Sequence, residues 1–128
     1  MIPDKIQKLI DVLSLKTETK KAIWTKGSTE AQYKISISDA NALTISRWVD
    51  SYKGIRQYEL IIYGEGGTAI ESIEVSDNDN PIDFEMFRKL YELARRSYFK
   101  TDETIENILN AIESNDIVGK EDDDTLPF

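Results

Sequence analysis

The feature that most constrains the fold is a change in the spacing of apolar residues, from helical to alternating and back to helical. From about residue 22 to Val75, apolar and polar residues alternate, as in Tyr33 to Ile37 and Tyr58 to Ile62. On both sides of this region, apolar residues recur every three or four positions. Alternation indicates strands and the longer spacing indicates amphipathic helices. The sequence therefore predicts an α+β fold, an antiparallel β-meander of four or five strands packed by an N-terminal helix and two C-terminal helices.

The three helices are predicted from their apolar stripes and their end signals. The first is expected over residues 3–15. The second is expected to begin after Asn80, a favourable N-cap residue, with Pro81 at the first helical position, and to end near Phe99. In the third helix we expect Thr101 to be the N-cap. We expect its apolar side chains to be buried. These side chains are Ile105, Ile108, Leu109 and Ile112.

Length and charge predict one domain followed by a tail. The chain has 128 residues and a formal net charge of −8, and a chain of this length fits a single domain. The apolar periodicity stops after Ile112. Residues 116–128 hold five acids and one base, a net charge of −4, so half of the excess lies there. We expect residues 1–115 to form one domain and residues 116–128 to be a disordered acidic tail.

Composition argues against most catalytic sites. Without cysteine or histidine, the chain lacks thiolate nucleophiles, disulfides and the commonest general base and metal ligand. Gly64, Gly66 and Ala69 match a dinucleotide-binding pattern but are better explained as a hairpin turn, and Asp77 and Asp79 lack the rest of a calcium loop. We expect no enzyme activity, cofactor or metal. No signal peptide or membrane-spanning segment is recognisable, so we expect a cytoplasmic protein.

Two surfaces of the predicted domain are candidates for binding. Trp48, Ile61 and Tyr63 should share the sheet face that points away from the helices, which suggests a homo-oligomer or partner surface. Aromatic residues on a sheet can also stack unpaired bases, although an acidic body disfavours nucleic acid. The helix after Asn80 is the most basic segment of the chain. An anionic group or the acidic tail could dock on its three arginines, Arg88, Arg95 and Arg96.

The last residues, "EDDDTLPF" at 121–128, carry the most specific signal. This segment resembles the C-terminal tip of bacterial single-stranded DNA-binding proteins, in which a run of aspartates precedes an aliphatic residue, proline and a terminal phenylalanine. The matching residues are Asp122, Asp123, Asp124, Leu126, Pro127 and Phe128. Thr125 departs from the family's spacing, because it separates the aspartates from the Leu-Pro-Phe. We refer to residues 121–128 as the tip.

The resemblance implies that the ring and carboxylate of Phe128 enter an apolar pocket with a cationic group, while the aspartates meet a basic rim. In that family the tip recruits DNA repair, recombination and replication enzymes. The rest of the chain does not resemble the family's basic OB-fold barrel or its linker. We therefore expect a bacterial or phage accessory protein that docks on such enzymes. Two alternatives are a homo-oligomeric domain whose tail only aids solubility and a weak binder of single-stranded nucleic acid.

Overall fold

The computed structural model describes residues 2–119. One five-stranded antiparallel sheet, in the order β1-β2-β3-β4-β5, follows an N-terminal helix and precedes two C-terminal helices. This arrangement confirms the predicted α+β fold and its β-meander. The elements are α1 (Asp4–Glu18), β1 (Thr25–Lys26), β2 (Gln32–Ser38), β3 (Asn41–Asp50), β4 (Ile55–Tyr63), β5 (Ala69–Ser76), α2 (Pro81–Tyr98) and α3 (Thr101–Ser114).

Helix α1 is one turn longer than the apolar spacing predicts. It continues to Glu18, and Thr17 in its last turn is buried. The Thr17 hydroxyl donates to the Leu13 carbonyl at 2.8 Å and accepts from the indole Nε1 of Trp24 at 3.1 Å. The last turn of α1 is thus connected by a side-chain hydrogen bond to the segment that enters the sheet.

The alternating residues of β2, β3 and β4 form the core face of the sheet. Tyr33 lies opposite Ile45, and Ile45 lies opposite Leu60, so apolar side chains meet across three strands. Helices α1 and α2 complete the core on this side of the sheet. The buried apolar residues are Ile2, Ile10, Leu13, Trp24, Tyr33, Ile35, Leu43, Ile45, Tyr58, Leu60, Val75, Phe87, Leu90, Tyr91 and Ala94.

The two segments that resemble dinucleotide-binding and calcium-binding motifs are turns between secondary-structure elements. Gly66 and Gly67, both with φ near +75°, reverse the chain between β4 and β5, so the dinucleotide-like glycines form a hairpin turn as expected. Asp77 accepts a hydrogen bond from the Arg56 amide, and Asp79 accepts one from the Ser76 amide. These aspartates close the turn that leads into α2.

The ends of α2 and α3 are formed differently. The Asn80 side chain accepts from the amides of Ile82 and Asp83 and caps α2, as predicted. Thr101 is not the cap of α3, and that expectation was wrong. It is the first helical residue, and Lys100 precedes it in the left-handed conformation (φ 51°) without a side-chain capping bond. This conformation ends α2 and redirects the chain into α3.

Candidate interaction site

Helix α3 carries an apolar stripe that the rest of the described chain does not cover. Ile105, Ile108, Leu109 and Ile112, the α3 stripe, are 45–52% exposed, and α3 has no buried residue. The expectation that these side chains would be buried was wrong. The apolar spacing identifies an amphipathic helix, but it does not say whether another element packs on the apolar side. Large aliphatic side chains exposed in a row are a feature of interaction sites.

Three of the four acidic side chains of α3 lie along one edge of the stripe. At 100° per residue, Asp102, Glu106 and Glu113 fall within roughly 100° of the stripe centre on the side of Leu109. The opposite edge holds Thr104 and Ala111, which are small and uncharged. Residues 101–114 contain no lysine or arginine. The surface of α3 is therefore an apolar strip with one anionic border.

Two of the α3 acids are used within the domain. Asp102 accepts from Arg96 at 2.6 Å, and Glu103 forms an ion pair with Lys20 at 3.2 Å. The pKa of Glu103 lies below its ordinary value, first because of a hydrogen bond to its own backbone amide and then because of Lys20. Glu106 and Glu113 form no ion pair with any residue between 2 and 119. These two carboxylates are the charges that a binding partner could meet.

The three arginines expected to bind an anion each already contact a carboxylate. Arg88 pairs with Glu85, Arg95 with Glu92 at 3.2 Å, and Arg96 with Asp102. The hydrogen bond from Arg88 also lowers the pKa of Glu85. An incoming anion would have to compete with these local pairs. Docking of an anionic group on Arg88, Arg95 and Arg96 stays a prediction.

Trp48, Ile61 and Tyr63 lie on the sheet face opposite the core, but they are not one patch. Trp48 is paired with Gln57 near one end of β3, and Tyr63 is paired with Ala42 near the other end. At about 3.4 Å per residue, the six residue steps from Ala42 to Trp48 span roughly 20 Å. The polar pair Ser46 and Glu59 lies between them. An oligomer interface on this face stays a prediction, and it would have to cover most of the sheet to use all three residues.

The same outer face holds a polar groove of about 520 Å³. Its floor includes Lys34, Ser36 and Thr44, and its walls come from the turns around Asp39 and Gly64. Thr44 is only 4% exposed, and among the residues described its hydroxyl has no hydrogen-bond partner. Because this oxygen is shielded from solvent, a ligand in the groove would not contact it without a side-chain movement. The groove is open and polar, unlike the enclosed, largely apolar sites that bind small molecules.

The tyrosines with raised pKa values belong to the core. Burial raises the pKa of the Tyr33, Tyr58 and Tyr91 phenols, and nearby arginines offset part of this increase.

Within residues 2–119, no group of three or more acidic side chains is arranged to hold a metal ion. In the same range, no helix combines the length and apolar character needed to cross a bilayer.

The tip itself lies outside the described residues, and so do its candidate contacts, which are Asp122, Asp123, Asp124, Leu126, Pro127 and Phe128. Residues 115–119, which follow α3, are exposed and form no helix or strand.

Comparison with protein-family models, curated proteins and solved structures found no match to this chain.

Proposed function

We propose that this protein is a non-enzymatic accessory protein that docks through the tip, residues 121–128, on DNA-metabolism enzymes that bind the tips of single-stranded DNA-binding proteins. The tip combines the chemical groups that such a pocket requires. Asp122, Asp123 and Asp124 supply negative charge, and Leu126 and Phe128 supply apolar side chains. Pro127 restricts the chain between them and reduces the entropy lost on binding.

The observation that carries the proposal is the exposure of α3, the helix that leads to the tip. The α3 stripe is about half exposed, and none of the α3 residues is buried. This exposure supports the view that the C-terminal part of the chain contributes to binding more than to the hydrophobic core. A solubility tail needs charge, but it does not require an uncovered row of aliphatic side chains in the preceding helix.

A competition experiment tests the proposal. A fluorescent peptide with the tip sequence of a single-stranded DNA-binding protein is bound to an enzyme known to take such tips, and the full-length protein is added. We expect displacement of the peptide, and we expect that replacing Leu126 and Phe128 with serine abolishes it. If the unaltered protein displaces no peptide from several such enzymes, the proposal is wrong, and a homo-oligomeric domain with a solubility tail becomes the better account.

A further inference from the structure

We infer that the α3 stripe is a second docking surface and that its occupant is a cationic amphipathic helix of a partner protein. The inference deepens the proposed function, because it assigns a partner chemistry to the helix that precedes the tip in the sequence. It starts from the four half-exposed side chains Ile105, Ile108, Leu109 and Ile112. Their spacing of three, one and three residues is the pattern by which one helix meets another along an apolar seam.

The two edges of the stripe suit such a helix in different ways. On one edge, Thr104 and Ala111 are small enough to let a second helix approach closely. On the other edge, Glu106 and Glu113 have no ionic partner within residues 2–119 and lie seven residues apart, which is about two helical turns. A helix with lysine or arginine beside its apolar stripe would place cations against these carboxylates.

A second copy of α3 fits this surface poorly. Residues 101–114 contain no base, and Glu106 and Glu113 have no ionic partner within residues 2–119, so two adjoining copies would bring these carboxylates together without a cation. The area is also small. Four half-exposed aliphatic side chains offer far less than the roughly 800 Å² that each partner contributes to a standard interface. A partner that also binds the tip gains contact area that a pair of α3 helices lacks.

The inference can be tested with two labelled 14-residue peptides that share a leucine stripe, one with lysine and one with glutamate at the remaining positions. Fluorescence anisotropy measures their binding to the full-length protein. We expect the lysine peptide to bind at least tenfold more tightly than the glutamate peptide. Ile108→Ser should weaken lysine-peptide binding at least fivefold, with circular dichroism confirming that the helix content is kept. Asn107→Ser, on the opposite side of α3, should leave binding unchanged.

Charge variants separate a specific surface from general attraction to an acidic protein. The double variant Glu106→Gln, Glu113→Gln should weaken lysine-peptide binding several-fold at low salt and less at high salt. The matched double variant Glu71→Gln, Glu74→Gln makes the same charge change on exposed β5 residues and should have little effect. Equal losses from the two double variants would overturn the inference, because binding would then follow net charge alone.

Two further results distinguish this inference from the proposed function. Deleting Phe128 should abolish docking on tip-binding enzymes and leave lysine-peptide binding within twofold. If the deletion changes neither measurement, the proposed function fails and the α3 surface stands. Sedimentation equilibrium supplies the other outcome: a wild-type dimer that Ile108→Ser converts to monomer would assign the stripe to a second copy and overturn the inference.

Discussion

Thr44 and Thr17 are both buried threonines, and they differ in what their hydroxyl groups contact. Thr17 both donates and accepts a hydrogen bond, whereas Thr44, on the outer face of β3, has no partner among the residues described. A buried hydroxyl without a partner loses its hydration and gains nothing in return. The alternating pattern of β3 places Thr44 on the polar face, but it does not predict that neighbouring side chains would shield it.

We predict that Thr44→Val raises the free energy of unfolding by about 1 kcal/mol, because it removes an unsatisfied polar group from a strand that favours β-branched residues. Thr17→Val, the matched control, should lower it by about 1 kcal/mol, since it leaves the Trp24 indole without its acceptor. Urea unfolding measures both. A loss of stability in Thr44→Val would mean that its hydroxyl is bonded in the folded protein.

At the scale of elements, the sequence predicts the parts of the fold that depend on local patterns. The meander follows from alternation in β2 to β5, and the start of α2 follows from the Asn80 cap. The end of α1 was missed because it depends on a hydrogen bond between Thr17 and Trp24, seven residues apart. The exposure of the α3 stripe was not predicted, because tertiary contacts decide whether another element packs on a helix, and the sequence of the helix does not determine those contacts.

The cap of α2 provides the prediction at this scale. Asn80→Ala should lower the free energy of unfolding by about 1 kcal/mol, because two amides in the first turn lose their acceptor. Asn80→Asp keeps an acceptor oxygen at the helix N-terminus and should stay within a few tenths of a kcal/mol of the unaltered protein. Equal losses in the two variants would show that the side-chain oxygen is not the stabilising group.

Across the whole molecule, three tyrosines connect the sheet to α2. Tyr33 and Tyr58 each lie 5.5 Å from Tyr91, measured between ring centroids. Burial is the main cause of the raised pKa of all three phenols. A phenol with a higher pKa in the folded state stabilises the fold fully below its unfolded value of about 10, and this contribution is lost as pH rises through the folded value.

We therefore predict that the free energy of unfolding falls as pH rises above about 10, by at most about 1.4 kcal/mol per pH unit for each buried tyrosine. Urea unfolding at pH 9 and pH 11 measures the slope. Tyr91→Phe removes one of the three phenols, so the difference between the two pH values should shrink in that variant. An unchanged difference would show that the Tyr91 phenol does not contribute to the pH dependence and would contradict the prediction for this residue.

The central claim concerns the tip as a docking segment, and one comparison tests it most directly. Affinities for an enzyme that binds single-stranded DNA-binding protein tips are measured by fluorescence anisotropy for the full-length protein, for the protein without Phe128 and for Thr125→Ala. In the proposed mode of docking, Phe128 supplies the group that fills the pocket, whereas the Thr125 hydroxyl is assigned no contact. The account predicts a loss of at least tenfold on deletion of Phe128 and no more than a twofold change for Thr125→Ala. Equal affinity of all three proteins would contradict it.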